Sequence, residues 1–215
     1  MPSTLHSADL PAAETRPGGS FGRSLPWLLL VGGLIGLTAA FVLTVEKFAL
    51  ALDPAYAPTC SINPVLNCGS VMDTPQASAL GFPNSLLGIA GFAVVAAVGA
   101  ALLAGAMFAQ WFWGAVQVGV TAAAVFVHWL IAQSLYEIGA LCPYCMAVWA
   151  VTVPVFWYVT LRNLDRARSK SALGQWFRLR LDSLIRNHSI PLTVWFLVLI
   201  ALIAQRFWSY WSTLL

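Results

Sequence analysis

Apolar residues fall into five long, nearly unbroken runs, and the polar residues collect between them. The runs are Leu25 to Val45, about Ser85 to Met107, about Trp111 to Leu135, Cys142 to about Leu161, and Ile190 to about Trp208. Each is long enough to cross the hydrocarbon core of a bilayer as a helix, which takes about 20 residues. Barrel strands would alternate apolar and polar positions, whereas these runs are continuous, so the pattern predicts spanning helices. A tight turn near Gln110 separates the second run from the third. The expected fold class is all-α, a polytopic membrane protein.

The segments between the runs differ in kind. Residues 1–24 are polar and rich in Pro, Gly and Ser, and read as a disordered tail. A signal peptide is the competing reading for the N-terminal region, but the run from Leu25 is too long for an h-region and no clear cleavage site follows it. Residues 46–84 are punctuated by Pro, Gly and Asn and read as a structured loop with one or two short helical turns. Residues 162–189 carry Arg162, Arg166, Arg168, Lys170, Arg178, Arg180 and Arg186, interleaved with apolar residues at helical spacing. That pattern fits a basic amphipathic helix on an anionic membrane face, or a solvated linker with a positive bias. Residues 25–161 thus form the main bundle, and 190–215 a fifth span.

Composition agrees with the pattern. The chain is 60% hydrophobic and 9% charged, too apolar for a soluble domain of 215 residues to bury. The net charge of +3 is small and supports no binding of nucleic acid. Its distribution matters more. Residues 162–189, directly after the fourth run, hold seven of the eleven basic residues, which places that segment in the cytoplasm by the positive-inside rule. Counting back, the loop 46–84 and the start of the fourth run at Cys142 lie together on the outer face of a cytoplasmic (inner) membrane. All four cysteines then share one oxidising side.

Those cysteines carry the candidate chemistry. Cys142 and Cys145 form a C-x-x-C pair where a helix is expected to begin. There the free N–H groups and the helix dipole favour a thiolate at Cys142, and Pro143 suits the first helical turn. Met146 stands where haem attachment would need His. Cys60 and Cys68 are expected in a mobile loop. A loop pair and a fixed pair on one face suit a thiol–disulfide relay, in which the loop pair meets a soluble partner and then the fixed pair. The natural two-electron acceptor beside a membrane bundle is a lipid quinone. A four-cysteine zinc site and two structural disulfides are the competing readings, although the Cys60/Cys68 spacing is wider than zinc sites use.

In order along the chain stand Cys60-Ser61-Ile62-Asn63-Pro64, Cys68-Gly69-Ser70-Val71-Met72, Phe82-Pro83-Asn84-Ser85-Leu86-Leu87-Gly88 and Leu141-Cys142-Pro143-Tyr144-Cys145. This series, over about Pro26 to Leu161, resembles the vitamin K epoxide reductase family in its bacterial branch. The resemblance implies a four-helix bundle around a quinone and an enzyme that generates disulfides outside the cytoplasmic membrane. It implies that Cys145 lies nearest the quinone, that Cys142 exchanges with the loop pair, and that Cys60 and Cys68 shuttle electrons from the partner. Asn84 and Ser85 would bind a quinone carbonyl, with capping of the second span as the alternative for both. Trp149 stands where some family members have a quinone-contacting tyrosine, and its indole could pack on the ring. Many bacterial members continue from a fifth span into a fused thioredoxin-like domain. Here the sequence stops at Leu215, so the expected partner is a separate thioredoxin-fold protein, and the expected cofactor is menaquinone or ubiquinone. A DsbB-like quinone reductase would carry its C-x-x-C pair first, the reverse of the order here. A cysteine-based metal carrier is the non-enzymatic alternative. Among polar residues inside the runs, His128 reads as structural rather than as a proton relay, Gln117 and Gln133 as interhelical glue, and Glu137 as a proton acceptor near Cys142 or a solvated surface group.

Overall fold

The computed structural model describes residues 24–53, 55–170 and 182–213. The expected disordered tail, and the middle of the expected basic amphipathic segment at 171–181, lie outside the described residues. Five helices are long and apolar enough to cross a membrane: Ser24–Leu52, Asn84–Leu103, Gln110–Ile138, Pro143–Ala167 and Ser189–Arg206. The chain is therefore an all-α, multi-pass membrane protein. Within a bilayer no water is available to backbone N–H and C=O groups, and a helix satisfies them all internally.

The first helix, α1 (Ser24–Leu52), runs 29 residues. At 1.5 Å per residue it is roughly 44 Å long, against a hydrocarbon core of about 30 Å. The helix keeps Glu46 and Lys47 within it, and the loop expected from residue 46 begins instead after Leu52. A short helix α2 (Cys68–Met72) and one 3-10 turn (Pro75–Ser78) punctuate that loop. The remaining helices are α3 (Asn84–Leu103), α4 (Gln110–Ala132), α5 (Pro143–Lys170), α6 (Ser189–Arg206) and the short α7 (Trp208–Trp211). A π-helical turn, Gln133–Ile138, extends α4. It is closed by Gly139 at φ 69°, a left-handed cap conformation that glycine adopts without strain.

Helices α1, α3, α4 and α5 make the bundle. The closest approach is α1 against α3, and glycines permit it. A Cβ on Gly33 would stand 2.6 Å from the backbone N of Ala96, and one on Gly99 only 2.4 Å from that of Leu30. Small residues that let backbones meet are how helices associate in lipid, where hydrophobic burial between them has no driving force. Helix α5 packs on both α1 and α4, whereas α3 and α4 do not pack along each other, which leaves a gap between them. At the end far from the cysteines, the Arg162 guanidinium stacks 3.3 Å from the Trp113 ring centre, and Asn163 donates to Trp113 O and Gln117 Oε1.

Helix α6 lies against the outside of the bundle and buries none of its residues fully. Two polar ties hold it. Trp195 Nε1 donates to His128 Nε2 at 2.9 Å, and Arg206 Nε donates to Leu135 O at 2.7 Å. His128 Nδ1 in turn lies 2.7 Å from Ala124 O. Both ring nitrogens of His128 thus have hydrogen-bond partners, one on its own helix and one on α6. Gln117 joins α4 to α5 through Thr160 Oγ1, and Gln133 joins the π turn to the loop through Gln76. Glu137 is exposed on the π turn.

Candidate functional site

The loop after α1 is folded by its own polar side chains. Asn63 Oδ1 accepts from the N–H groups of Val65 and Leu66, and Leu66 O accepts from those of Ile62 and Asn63, which closes a tight turn. Asn67 caps α2, its Oδ1 accepting from Ser70 N at 3.0 Å, and takes a second bond from Ser61 Oγ. Such short side-chain-to-backbone bonds are what Asn and Ser contribute to turns and caps. The loop then pairs with the segment before α5. Leu66 and Leu141 form a parallel β-bridge, with Asn67 N donating to Leu141 O at 2.9 Å and Leu141 N to Val65 O at 2.7 Å.

That bridge sets the residues preceding Cys68 beside the residue preceding Cys142. Cys60 and Cys68 are joined in a disulfide, with S–S 2.05 Å, and Cys142 and Cys145 are free thiols. Cys142 Sγ lies 3.0 Å from Cys68 Sγ, across 74 residues of sequence. In this conformation the loop pair is packed against the bundle. Cys60 is 4% exposed and Cys68 0%, packed with Leu43, Val71, Met72 and Ala140. Dense polar bonding and apolar cover hold it down, where Pro, Gly and Asn content by itself signals only irregular backbone.

Cys142 occupies the cap position of α5. Its carbonyl accepts from Met146 N at 2.9 Å, its Sγ accepts from Cys145 N at 3.5 Å, and Pro143 follows as the first helical residue. The Cys145 thiol and the Cys145 and Tyr144 N–H groups all donate to the Cys142 sulfur. They hold its pKa below the usual thiol value although burial acts in the opposite sense.

Cys145 also lines a cavity of about 890 Å³ whose walls come from all four bundle helices and the loop. The walls are chiefly apolar, among them Phe92, Val95, Val120, Phe126 and Trp149, and the cavity reaches the gap between α3 and α4. Polar groups gather toward the cysteine end: Lys47, Thr74, Gln76, Asn84, Ser85 and Ser134. Trp149 is 2% exposed and forms part of the wall. Asn84 does not cap α3; the cap position belongs to Pro83, and no side chain closes it. Instead Asn84 Nδ2 donates to Gln76 O at 2.6 Å and its Oδ1 accepts from Ala79 N at 3.1 Å, tying the 3-10 turn to the helix start. One amide hydrogen of Asn84 remains. Ser85 Oγ lies 2.8 Å from Thr44 Oγ1.

Two residues matter here that the sequence reading passed over. Glu46 is 5% exposed, accepts from Thr59 Oγ1 at 2.5 Å and from Thr59 N at 3.4 Å, and so anchors the residue before Cys60. Tyr56 also bonds to Glu46, and this raises the phenol's pKa. Lys47 lines the cavity and donates to Met72 O. The signal was present. Glu46 and Lys47 are the only charged residues between Arg23 and Asp53, in an otherwise apolar helix, and charges so placed are costly unless they have partners or a task.

The sequence profile of the vitamin K epoxide reductase family matches residues 27–160, well over half of the chain. The chain belongs to that family. No curated protein matches the sequence. Membership makes the chain an oxidoreductase of the membrane quinone-linked disulfide kind.

Proposed function

We propose that this member of the vitamin K epoxide reductase family oxidises a separate thioredoxin-fold protein outside the cytoplasmic membrane and reduces a membrane quinone, so driving disulfide formation. The observation that carries the reading is the 3.0 Å approach of Cys142 Sγ to Cys68 Sγ, between a disulfide and a thiol pair, with Cys145 of that thiol pair on the cavity. The partner's dithiol reduces Cys60–Cys68. The Cys68 thiolate then attacks Cys142 of an oxidised Cys142–Cys145 pair, and Cys145 leaves. Cys60 attacks Cys68 and expels Cys142, which restores the Cys60–Cys68 disulfide and leaves Cys142 and Cys145 reduced. That is the oxidation pattern of the present structure. The lowered pKa of Cys142 favours this last step, because a thiol of lower pKa leaves a mixed disulfide faster.

The donor set fits a lipid quinone. An apolar cavity that reaches the gap between two spans suits a lipid-soluble ring and its tail, and a thiol with polar side chains at one end suits the ring's carbonyls. A bound quinone, menaquinone or ubiquinone, supplies an acceptor for two electrons and two protons. Trp149 would form the wall against the ring. Asn84 offers its remaining amide hydrogen to a carbonyl, and Ser85 holds the helix start to α1 through Thr44. Overall one dithiol and one quinone give one disulfide and one quinol, in balance.

One observation favours a second reading. The sulfurs of Cys60, Cys68 and Cys142 all lie within 4.8 Å of one another, a spacing a thiolate-bound metal can use. Against it, two of the three sulfurs are bonded to each other. Both readings are tested by quinol formation in detergent with a reduced thioredoxin-fold donor. Quinol formation is expected to be lost in Cys145→Ala with any donor, and retained in Cys60→Ala when DTT reduces the inner pair directly. No turnover by the wild type, together with stoichiometric bound metal, would leave the metal carrier standing.

A further inference from the structure

We propose that Lys47 is the charge-supplying group of the cavity, set to donate a hydrogen bond, and then a proton, to the oxygen of a bound quinone. The inference rests on the quinone reading above and adds to it a residue outside the four sequence motifs.

Among the described residues Lys47 is the only charged residue lining the cavity, as Cys145 is its only thiol. It is half-buried on the penultimate turn of α1. Among the described residues it has no carboxylate partner; its contact is with Met72 O. An ammonium at the end of an apolar cavity without a counter-ion is unfavourable in a resting protein. It becomes favourable when negative charge develops beside it, since a fixed donor in a water-poor site acts more strongly there than in water.

The neutral donors nearby are mostly engaged. Asn84 has both its Oδ1 and one amide hydrogen committed to the 3-10 turn, and Ser85 Oγ is paired with Thr44. The ammonium carries three N–H groups, and one goes to Met72 O, so two remain for a ligand. Reduction of a quinone by the Cys142 and Cys145 thiols moves two electrons to the ring and requires a proton on each oxygen. A proton given by Lys47 is replaced, through water at the cysteine end, by one of the two that the thiols release, so the stoichiometry is unchanged.

The contact with Met72 O allows a plain structural role, since it ties α1 to the helix that begins at Cys68. The two roles separate by ligand charge. The full chain in detergent is titrated at neutral pH with 1,4-naphthoquinone, which is neutral, and with 2-hydroxy-1,4-naphthoquinone, which is ionised. Binding is read directly by equilibrium dialysis, independent of turnover. Wild type is expected to prefer the anion. Lys47→Met should weaken the anion about tenfold or more, as loss of one hydrogen bond between opposite charges predicts, and weaken the neutral quinone by a clearly smaller factor, since its carbonyl oxygen carries no full charge. Lys47→Arg should keep the preference. Equal weakening of both ligands in Lys47→Met, or no change in either, would overturn the assignment while leaving the quinone reading intact. Failure of the wild type to bind either ligand would overturn both.

Discussion

Replacing Gly99 with alanine tests whether backbone contact between α1 and α3 sets the shape of the bundle. An added Cβ would lie 2.4 Å from Leu30 N, 2.8 Å from Leu30 Cα and 2.9 Å from Leu29 C. Ordinary contact begins near 3.4 Å, so the helices must separate by roughly 1 Å at this crossing. Every atom in the clash is backbone, so no rotamer change relieves it, and overpacking of this kind costs about 1–3 kcal/mol. For a chain of this size each kcal/mol moves the unfolding midpoint by about 2–4 °C. Gly99→Ala should therefore unfold in detergent several degrees below wild type, as followed by circular dichroism. Gly36→Ala should cost less, because its Cβ meets only the Phe92 side chain, Cδ1 and Cε1 at 2.4 Å and Cγ at 2.6 Å, which can swing aside as a whole where backbone cannot. That ring lines the cavity, so Gly36→Ala should weaken quinone binding more than its stability loss implies. Gly91→Ala has nothing within 4 Å of the new Cβ and serves as the control; removing a mid-helix glycine there should stabilise by about 0.5–1 kcal/mol. If Gly99→Ala melts together with Gly91→Ala, the close backbone crossing is wrong.

Three further outcomes are expected. Cys60→Ser removes the competitor for Cys68, so Cys68 and Cys142, 3.0 Å apart, should oxidise to a stable cross-link that peptide mapping by mass spectrometry detects; cross-linking to Cys145 instead would refute the proximity. Exchange between Cys142 and the loop disulfide should rise with pH as the Cys142 thiolate forms, then level off below the ordinary thiol range because its pKa is lowered. Removing the Cys145 thiol donor in Cys145→Ala should move that rise to higher pH, as read by stopped-flow mixing at a series of pH values, and an unmoved profile would show that the Cys145 thiol does not set it. Trp195→Phe leaves His128 Nε2 without its donor; the loss of one hydrogen bond of about 0.5–1.5 kcal/mol should lower the unfolding midpoint modestly without changing internal exchange between the cysteine pairs.

Much of this protein is written locally. Unbroken apolar runs impose helices because lipid offers the backbone no other partner, and all five appear. Pro143 after Cys142 marks the start of α5, and the N–H groups of that helix start add to the Cys145 thiol in lowering the pKa of Cys142. Helix ends were less legible. Glu46 and Lys47 look like the beginning of a loop because they are charged, yet α1 continues beyond them to Leu52.

What only the tertiary structure decided are the meetings between distant segments. Nothing in the spacing of the four cysteines says that Cys68, rather than Cys60, faces Cys142; the Leu66–Leu141 bridge does. Asn84 reads as a cap or a ligand, and the fold gives it a third task, tying down the 3-10 turn. Lys47 counts from the sequence only as one positive charge, and the packing of α1 against α2 turns it into the cavity. The reason is range. Helix formation depends on neighbours within a few residues and leaves a periodic trace, whereas the site is assembled by single hydrogen bonds across an irregular loop, which has no period to read.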